Sequence, residues 1–222
     1  MRTTAVVTPR AGGVNRLLMH RATKPAVFAL ALAPFAWLLW GALANRLGAN
    51  PAEALVRSTG DWTLRLLCLT LAVTPLRQWT GWHALARLRR MLGLFTFFYA
   101  SWHALAYAWL DMGLVVADIA RDIAKRPFIL VGFMAFVLLV PLAATSFSGM
   151  VRALGAARWQ ALHRLVYVIA LLALLHFFWM RAGKNDFAEW TVYAALLAVL
   201  LGWRLVGRVR TAASRVPRQP VT

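Results

Sequence analysis

Six apolar runs, each near the ~20 residues that a helix needs to cross a bilayer, occupy about 26–44, 62–80, 91–110, 127–146, 162–180 and 187–206 of this 222-residue chain. Hydrocarbon offers a peptide group no hydrogen-bond partner, so such runs must close their own backbone bonds as helices. The second is the least regular, with Arg65 near its start and Pro75 near its end, where a helix kinks or stops. The expected fold is all-α: a polytopic membrane protein with a six-transmembrane-helix bundle over 26–206, between a basic segment 1–25 and a basic tail 207–222.

Charge then orients the bundle. A formal net charge of +18 would suggest nucleic acid in a soluble chain, but here the basic residues flank apolar runs and read as topology signals. With the N-terminus in the cytoplasm, most Lys and Arg fall on the cytoplasmic side: before the first helix, between the second and third, between the fourth and fifth, and after the sixth. All seven acids (Glu53, Asp61, Asp111, Asp118, Asp122, Asp186 and Glu189) fall on the other side, at helix ends or in loops. Both termini are therefore expected in the cytoplasm of a bacterial inner-membrane protein, with the lipid bilayer as its first partner and no nucleic acid.

Other classes fall away. Ala42-Leu43-Ala44 resembles a signal-peptidase site, but the run before it is longer than a signal core, so the first helix is expected to stay. The tail contains Pro217 and Pro220 and is expected to be disordered. The one cysteine, Cys68, can form no internal disulfide and cannot supply paired thiols for a covalently attached haem. No glycine-rich fingerprint marks a pyridine-nucleotide site.

Three of the five histidines, His103, His163 and His176, lie within or beside the apolar runs, where an imidazole is costly and calls for a function. In the orientation above, the third and fifth helices run in the same direction. His103 is 13 residues beyond Arg90 and His176 is 12 beyond Arg164, hence ~20 and ~18 Å above the basic edge at 1.5 Å per residue. Two parallel helices presenting histidine at one depth suit a bis-histidine haem b in an apolar pocket. Gly93, Ala100 and Ala173 could let a flat ring approach, and Tyr99, Trp102, Phe177, Phe178 and Trp179 surround that level. The competing readings are two histidines satisfied by Ser101 or backbone groups, or a proton relay, which normally calls for intramembrane carboxylates. Zinc is disfavoured, because no cysteine or carboxylate joins the histidines at that depth.

His163 stands 13 residues before His176, ~19.5 Å lower and ~140° away around an ideal helix. It can be a ligand of a second haem, a contact for quinone or flavin, or a histidine at the membrane surface. Arg89 and Arg90 lie at the matching inner depth and could serve an inner cofactor, while Arg65, Arg126 and Arg181 near outer helix ends could meet haem propionates or a partner protein. His20 and His83 are given no role.

These residues also carry a pattern. Arg89-Arg90-Met91-Leu92-Gly93-Leu94 followed by Trp102-His103-Ala104, and Trp159-Gln160-Ala161-Leu162-His163-Arg164-Leu165-Val166-Tyr167 followed by His176-Phe177, resemble the MsrQ (YedZ) family, with Thr74-Pro75-Leu76 and Arg126-Pro127-Phe128 as further segments. The histidine spacing is shared by the wider ferric-reductase-like transmembrane class. The resemblance implies a haem-binding membrane subunit that passes electrons from the quinone pool to a periplasmic molybdopterin-containing MsrP-type methionine sulfoxide reductase, supporting repair of oxidised envelope proteins. It implies haem b, one or two, linked to His103, His163 and His176 with iron as the metal, together with FMN, for which the residues themselves define no site. A cytoplasmic flavin reductase is a further implied donor.

A chain with no nucleotide module must take electrons from a membrane reductant or a separate reductase. The outer loops, with Asp111, Asp118, Arg121, Asp122 and Lys125, would form the docking face for the acceptor. The alternatives are a ferric-reductase-like electron carrier for another acceptor and a non-redox transport or structural protein.

Overall fold

The computed structural model describes residues 9–183 and 185–213; the outer parts of the two expected basic flanks, 1–8 and 214–222, lie outside them. Every regular element among the described residues is helical. A short α1 (Pro9–Met19) leads into α2 (Thr23–Leu43) and then α3 (Pro51–Thr80). A single 3₁₀ turn (His83–Leu85) precedes α4 (Ala86–Ala106), which runs directly into a π turn (Tyr107–Asp111). After α5 (Val116–Lys125) and α6 (Pro127–Ala144) come the short α7 (Ser148–Leu154) and α8 (Ala156–His163), then α9 (Leu165–Ala182) and α10 (Ala188–Ala213).

Local chemistry explains the boundaries. The Asn50 side chain accepts a hydrogen bond from the Glu53 N–H at 3.1 Å, Pro51 occupies the first turn, and Gly81 ends α3 at φ +72°, a conformation that glycine adopts without strain. The α5–α6 junction falls at Arg126-Pro127, where proline excludes the preceding residue from helix and opens the next one.

Four helices meet the length and apolarity needed to cross a membrane, namely Thr23–Leu43, Pro127–Ala144, the combined stretch Ala156–Ala182 and Ala188–Gly207; a fifth is reached if the pair His83–Asp111 and Val116–Lys125, bent by 108°, counts as one span. The chain is thus a polytopic membrane protein. The run expected at 62–80 does not meet that measure, yet α3 is continuous over 30 residues, about 45 Å, with Pro75 inside it and buried. Its charges lower its apolarity, but it is the most enclosed helix: Leu64, Leu66, Leu67, Cys68, Leu71 and Val73 are all buried. Hydropathy registers what faces lipid, and α3 mostly faces other helices.

Two further boundaries depart from expectation. The run at 162–180 is broken at Arg164 between α8 and α9, so His163 and His176 do not share one uninterrupted helix. The last helix continues to Ala213, where a disordered tail is expected from 207.

The core lies where α3, α4, α6, α9 and α10 meet, around Leu67, Leu71, Ala135, Ile169, Ala170 and Leu197. Small residues such as Ala135 and Ala170 allow the close helix approach that drives association in lipid. A second cluster joins α2 to α4 through Tyr99, which is fully buried. Its hydroxyl donates to the Ala31 carbonyl at 2.8 Å and accepts from the Phe35 N–H at 3.0 Å, bridging the α2 ladder one turn around Pro34. At one end of the bundle, Asn15 of α1 donates to the Gly81 carbonyl at 2.9 Å and accepts from the Ala84 N–H at 3.1 Å. Arg87 donates to the Leu18 carbonyl at 2.9 Å, so the basic N-terminal helix and the α3–α4 link occupy the same end.

Candidate functional site

α3 packs most extensively on α4, and α6 on α9. Each pair brings a histidine against a carbonyl of its partner helix. His103 Nδ1 on α4 is 2.8 Å from the Val56 carbonyl of α3, and His176 Nδ1 on α9 is 2.7 Å from the Phe128 carbonyl of α6. A carbonyl only accepts, so each Nδ1 carries the proton and donates, and each Nε2 keeps its lone pair. This is the tautomer of a metal-binding imidazole whose orientation is fixed by an outer hydrogen bond.

The two rings meet across the bundle with centres 6.1 Å apart and planes at 75°. They line a cavity of about 530 Å³, within the usual range for small-molecule and cofactor sites. Its walls are mainly apolar, with Leu67, Ala100, Phe136, Ala173 and Phe177 among them. Charge gathers at its edge: Arg57, Arg126 and Arg181 line it, with Asp61, Asp111 and Glu189. Arg57 pairs with Glu53 at 2.5 Å, Arg126 with Asp122 at 2.9 Å, and Arg181 with Asp186 at 3.2 Å and with Glu189. Tyr107 donates to the second oxygen of Asp122 at 2.7 Å, tying α5 to the end of α4.

A haem between the histidines fits this donor set. A metal that two imidazoles bind at about 2 Å each holds their ring centres roughly 6 Å apart, the separation found here. No group of three or more His, Cys, Asp or Glu placed to hold a metal ion is found among the described residues; a porphyrin would supply the donors that two histidines leave open.

The expected depth match of His103 and His176 thus becomes a contact in the structure, and Ala100 and Ala173 do line the cavity. Gly93 does not: a Cβ there would lie 3.7 Å from Thr70 Cγ2, in the α3–α4 seam. Nor does Ser101 satisfy a histidine, since its hydroxyl bonds the Phe97 carbonyl of its own helix. Arg65 turns to Tyr193, 3.3 Å away, and to the Trp62 ring. Asp61 lies inside α3 and on the cavity wall, not at a helix end. The residues that the sequence reading missed are Val56, Arg57, Gly60, Phe128 and Gly132. Gly60, two residues ahead of the run at 62–80, and Gly132, within the run at 127–146, were the available signals.

His163 is elsewhere. Thr145 donates its hydroxyl proton to the Pro141 carbonyl at 2.6 Å, so its oxygen accepts from His163 Nε2 at 3.1 Å. The His163 ring stacks on Trp159 at 4.0 Å, and the Trp159 indole N–H donates to the Thr145 carbonyl at 2.9 Å. Arg89 is near enough for its charge to act on His163. Arg89 and Arg90 are exposed near the start of α4, 14 and 13 residues before His103, and do not line the His103–His176 cavity.

Residues 59–174 match the model of the family described as "Ferric reductase like transmembrane component". A "Protein-methionine-sulfoxide reductase heme-binding subunit MsrQ" from Polaromonas naphthalenivorans (strain CJ2) is 65% identical, over 92% of this chain and 93% of its own length. Proteins of the same description from Ralstonia nicotianae (strain ATCC BAA-1114 / GMI1000) and Xanthomonas campestris pv. campestris (strain B100) are 60% and 50% identical, over 83% and 90% of this chain and 85% and 95% of theirs. No solved structure matches the chain. Sequence likeness over nearly the whole length places this chain in the MsrQ family of the ferric-reductase-like transmembrane class.

Proposed function

We propose that this chain is the haem-binding, electron-carrying membrane subunit of a methionine sulfoxide reductase system: a six-span b-type cytochrome of the bacterial inner membrane with both termini cytoplasmic. The observation that carries this reading is the His103–His176 pair, with both Nδ1 protons committed to helix carbonyls and rings 6.1 Å apart. Haem b bound there supplies a one-electron carrier, while the protein sets its position and potential.

The residues divide the work. His103 and His176, their Nδ1 protons committed to carbonyls, would hold the group through Nε2. The apolar wall excludes water, which strengthens every charge interaction inside. Arg57, Arg126 and Arg181, which line the cavity and pair with Glu53, Asp122 and Glu189, would hold the carboxylates of the group. Asp111 at the end of the π turn, on the cavity lining, and the α5 acids Asp118 and Asp122, the latter paired with the lining Arg126, form the docking face for a periplasmic, molybdopterin-containing MsrP-type reductase.

At the other end, His163, Trp159, Arg89 and Arg90 form an inner electron-entry site for quinone or FMN, served by the quinone pool or by a cytoplasmic flavin reductase. The stacked Trp159 offers a flat partner for a ring, and the arginines offer charge for a phosphate. With Nε2 held by Thr145, a metal at His163 would use Nδ1.

Reduced-minus-oxidised spectra of the purified, haem-supplied protein test the outer site: a b-type α-band is expected in the parent and absent in His176→Ala, and a well-folded parent without the band overturns the reading. Electron delivery is tested in vesicles holding this chain, a quinol and the periplasmic reductase. Sulfoxide reduction that does not depend on this chain would remove the proposed route.

A further inference from the structure

The two histidine sites repeat one construction whose key residue bears no functional group. In a helix the carbonyl of residue i points toward the C-terminus and accepts from the N–H of residue i+4, while every Cα–Cβ bond tilts toward the N-terminus. The Cβ of residue i+4 therefore overhangs the carbonyl of residue i. A ring arriving from a neighbouring helix reaches that carbonyl only if the overhang is missing.

Four residues after Val56 stands Gly60, and four after Phe128 stands Gly132. A Cβ on Gly60 would lie 3.1 Å from both Nδ1 and Cε1 of His103, and one on Gly132 would lie 2.8 Å from Nδ1 and 2.9 Å from Cε1 of His176. The second spacing is closer than carbon contacts allow, and the first is tight. In both cases the ring itself is what the added methyl meets. The His103–Val56 and His176–Phe128 separations along the chain, 47 and 48 residues, differ by one, so the device occurs twice in nearly the same spacing.

We propose that Gly60 and Gly132 are paired positioning residues of the cavity: each clears the carbonyl one turn before it, so that His103 or His176 fastens its Nδ1 proton there and turns Nε2 to the cavity ligand. The inference rests on the haem reading for what the cavity holds, but not for the fastening, which belongs to the ligand-free protein as well. Loss of an outer hydrogen bond to a metal-ligating imidazole typically costs about 10- to 100-fold in metal affinity. Gly132→Ala should fall toward the upper end and Gly60→Ala toward the lower, following the two clearances.

The test uses the full-length protein in detergent, with Gly202→Ala as the control because no atom lies within 4 Å of a Cβ at that position. In haem-free protein, imidazole ¹⁵N shifts should report Nδ1-protonated rings for His103 and His176, with the His103 signals moved in Gly60→Ala and the His176 signals moved in Gly132→Ala. In haem-supplied protein, the six-coordinate low-spin spectrum should weaken in Gly132→Ala, with faster loss of haem to an acceptor protein, a smaller change in Gly60→Ala and none in the control. Should Gly132→Ala fail to fold, Gly60→Ala still carries both readouts. Unmoved ¹⁵N shifts in folded variants overturn the positioning role whatever the haem content, whereas moved shifts in a parent that takes up no haem would sink only the haem reading.

Discussion

The α3–α4 half and the α6–α9 half hold their histidines in the same way yet are built from unlike helices. α6 is almost wholly apolar and long enough to cross a membrane, and it leaves an apolar face open, with Met134 and Val137 each 47% exposed. α3 carries Asp61, Arg65 and Arg77 along its length and is covered by its neighbours. The Val56 carbonyl also accepts from the Thr59 hydroxyl at 3.1 Å, while the Phe128 carbonyl has no such side-chain competitor among the described residues. A functional geometry can therefore be fixed by backbone and glycine alone, leaving the rest of each helix free to suit lipid or protein.

The largest effect should come from the ligands. His103→Ala and His176→Ala should each abolish the low-spin b-type spectrum, because one shared group needs both; retention in either variant, read by absorbance, would break the equivalence of the halves. Next is packing. Leu71 of α3 is fully buried and Met134 of α6 is 47% exposed, so Leu71→Ala should cost about 2–4 kcal/mol through the cavity it leaves. Met134→Ala should cost far less, as lipid can fill its place. Denaturant or thermal unfolding in detergent measures both, and equal losses would show that the two helices are enclosed alike.

A smaller change is expected at Tyr99, whose hydroxyl bridges Ala31 and Phe35. Tyr99→Phe should cost about 1–2 kcal/mol by leaving those buried backbone groups short of a partner, with the haem spectrum unchanged. Smallest is Asp118→Asn on α5: the Arg121–Asp118 pair has side chains 62% and 52% exposed, and such surface pairs contribute about 0–1 kcal/mol. A large loss there would mean that α5 is more than a covering element.

Much of the site was legible because a membrane helix turns sequence distance into depth. A rise of 1.5 Å per residue makes the 13 residues from Arg90 to His103 and the 12 from Arg164 to His176 nearly equal heights, and the structure brings those rings into contact. Rotation about the helix axis is not readable in that way. Gly93 sits at a plausible depth but faces Thr70, and Arg65 sits near the outer end but turns to Tyr193. The helix is interrupted at Arg164, between His163 and His176, so an angle reckoned along one ideal helix does not carry over to the pair.

By itself, the sequence determined that the chain is helical and lives in a membrane, and which histidines stand at one level, because these follow from local apolarity and a fixed rise per residue. Which carbonyl each histidine fastens to, which glycine clears the way, and which arginines reach the cavity edge were decided only in the tertiary structure. Those contacts join residues 47 and 48 positions apart, and the packing of one helix against another sets them, not any property of either helix alone.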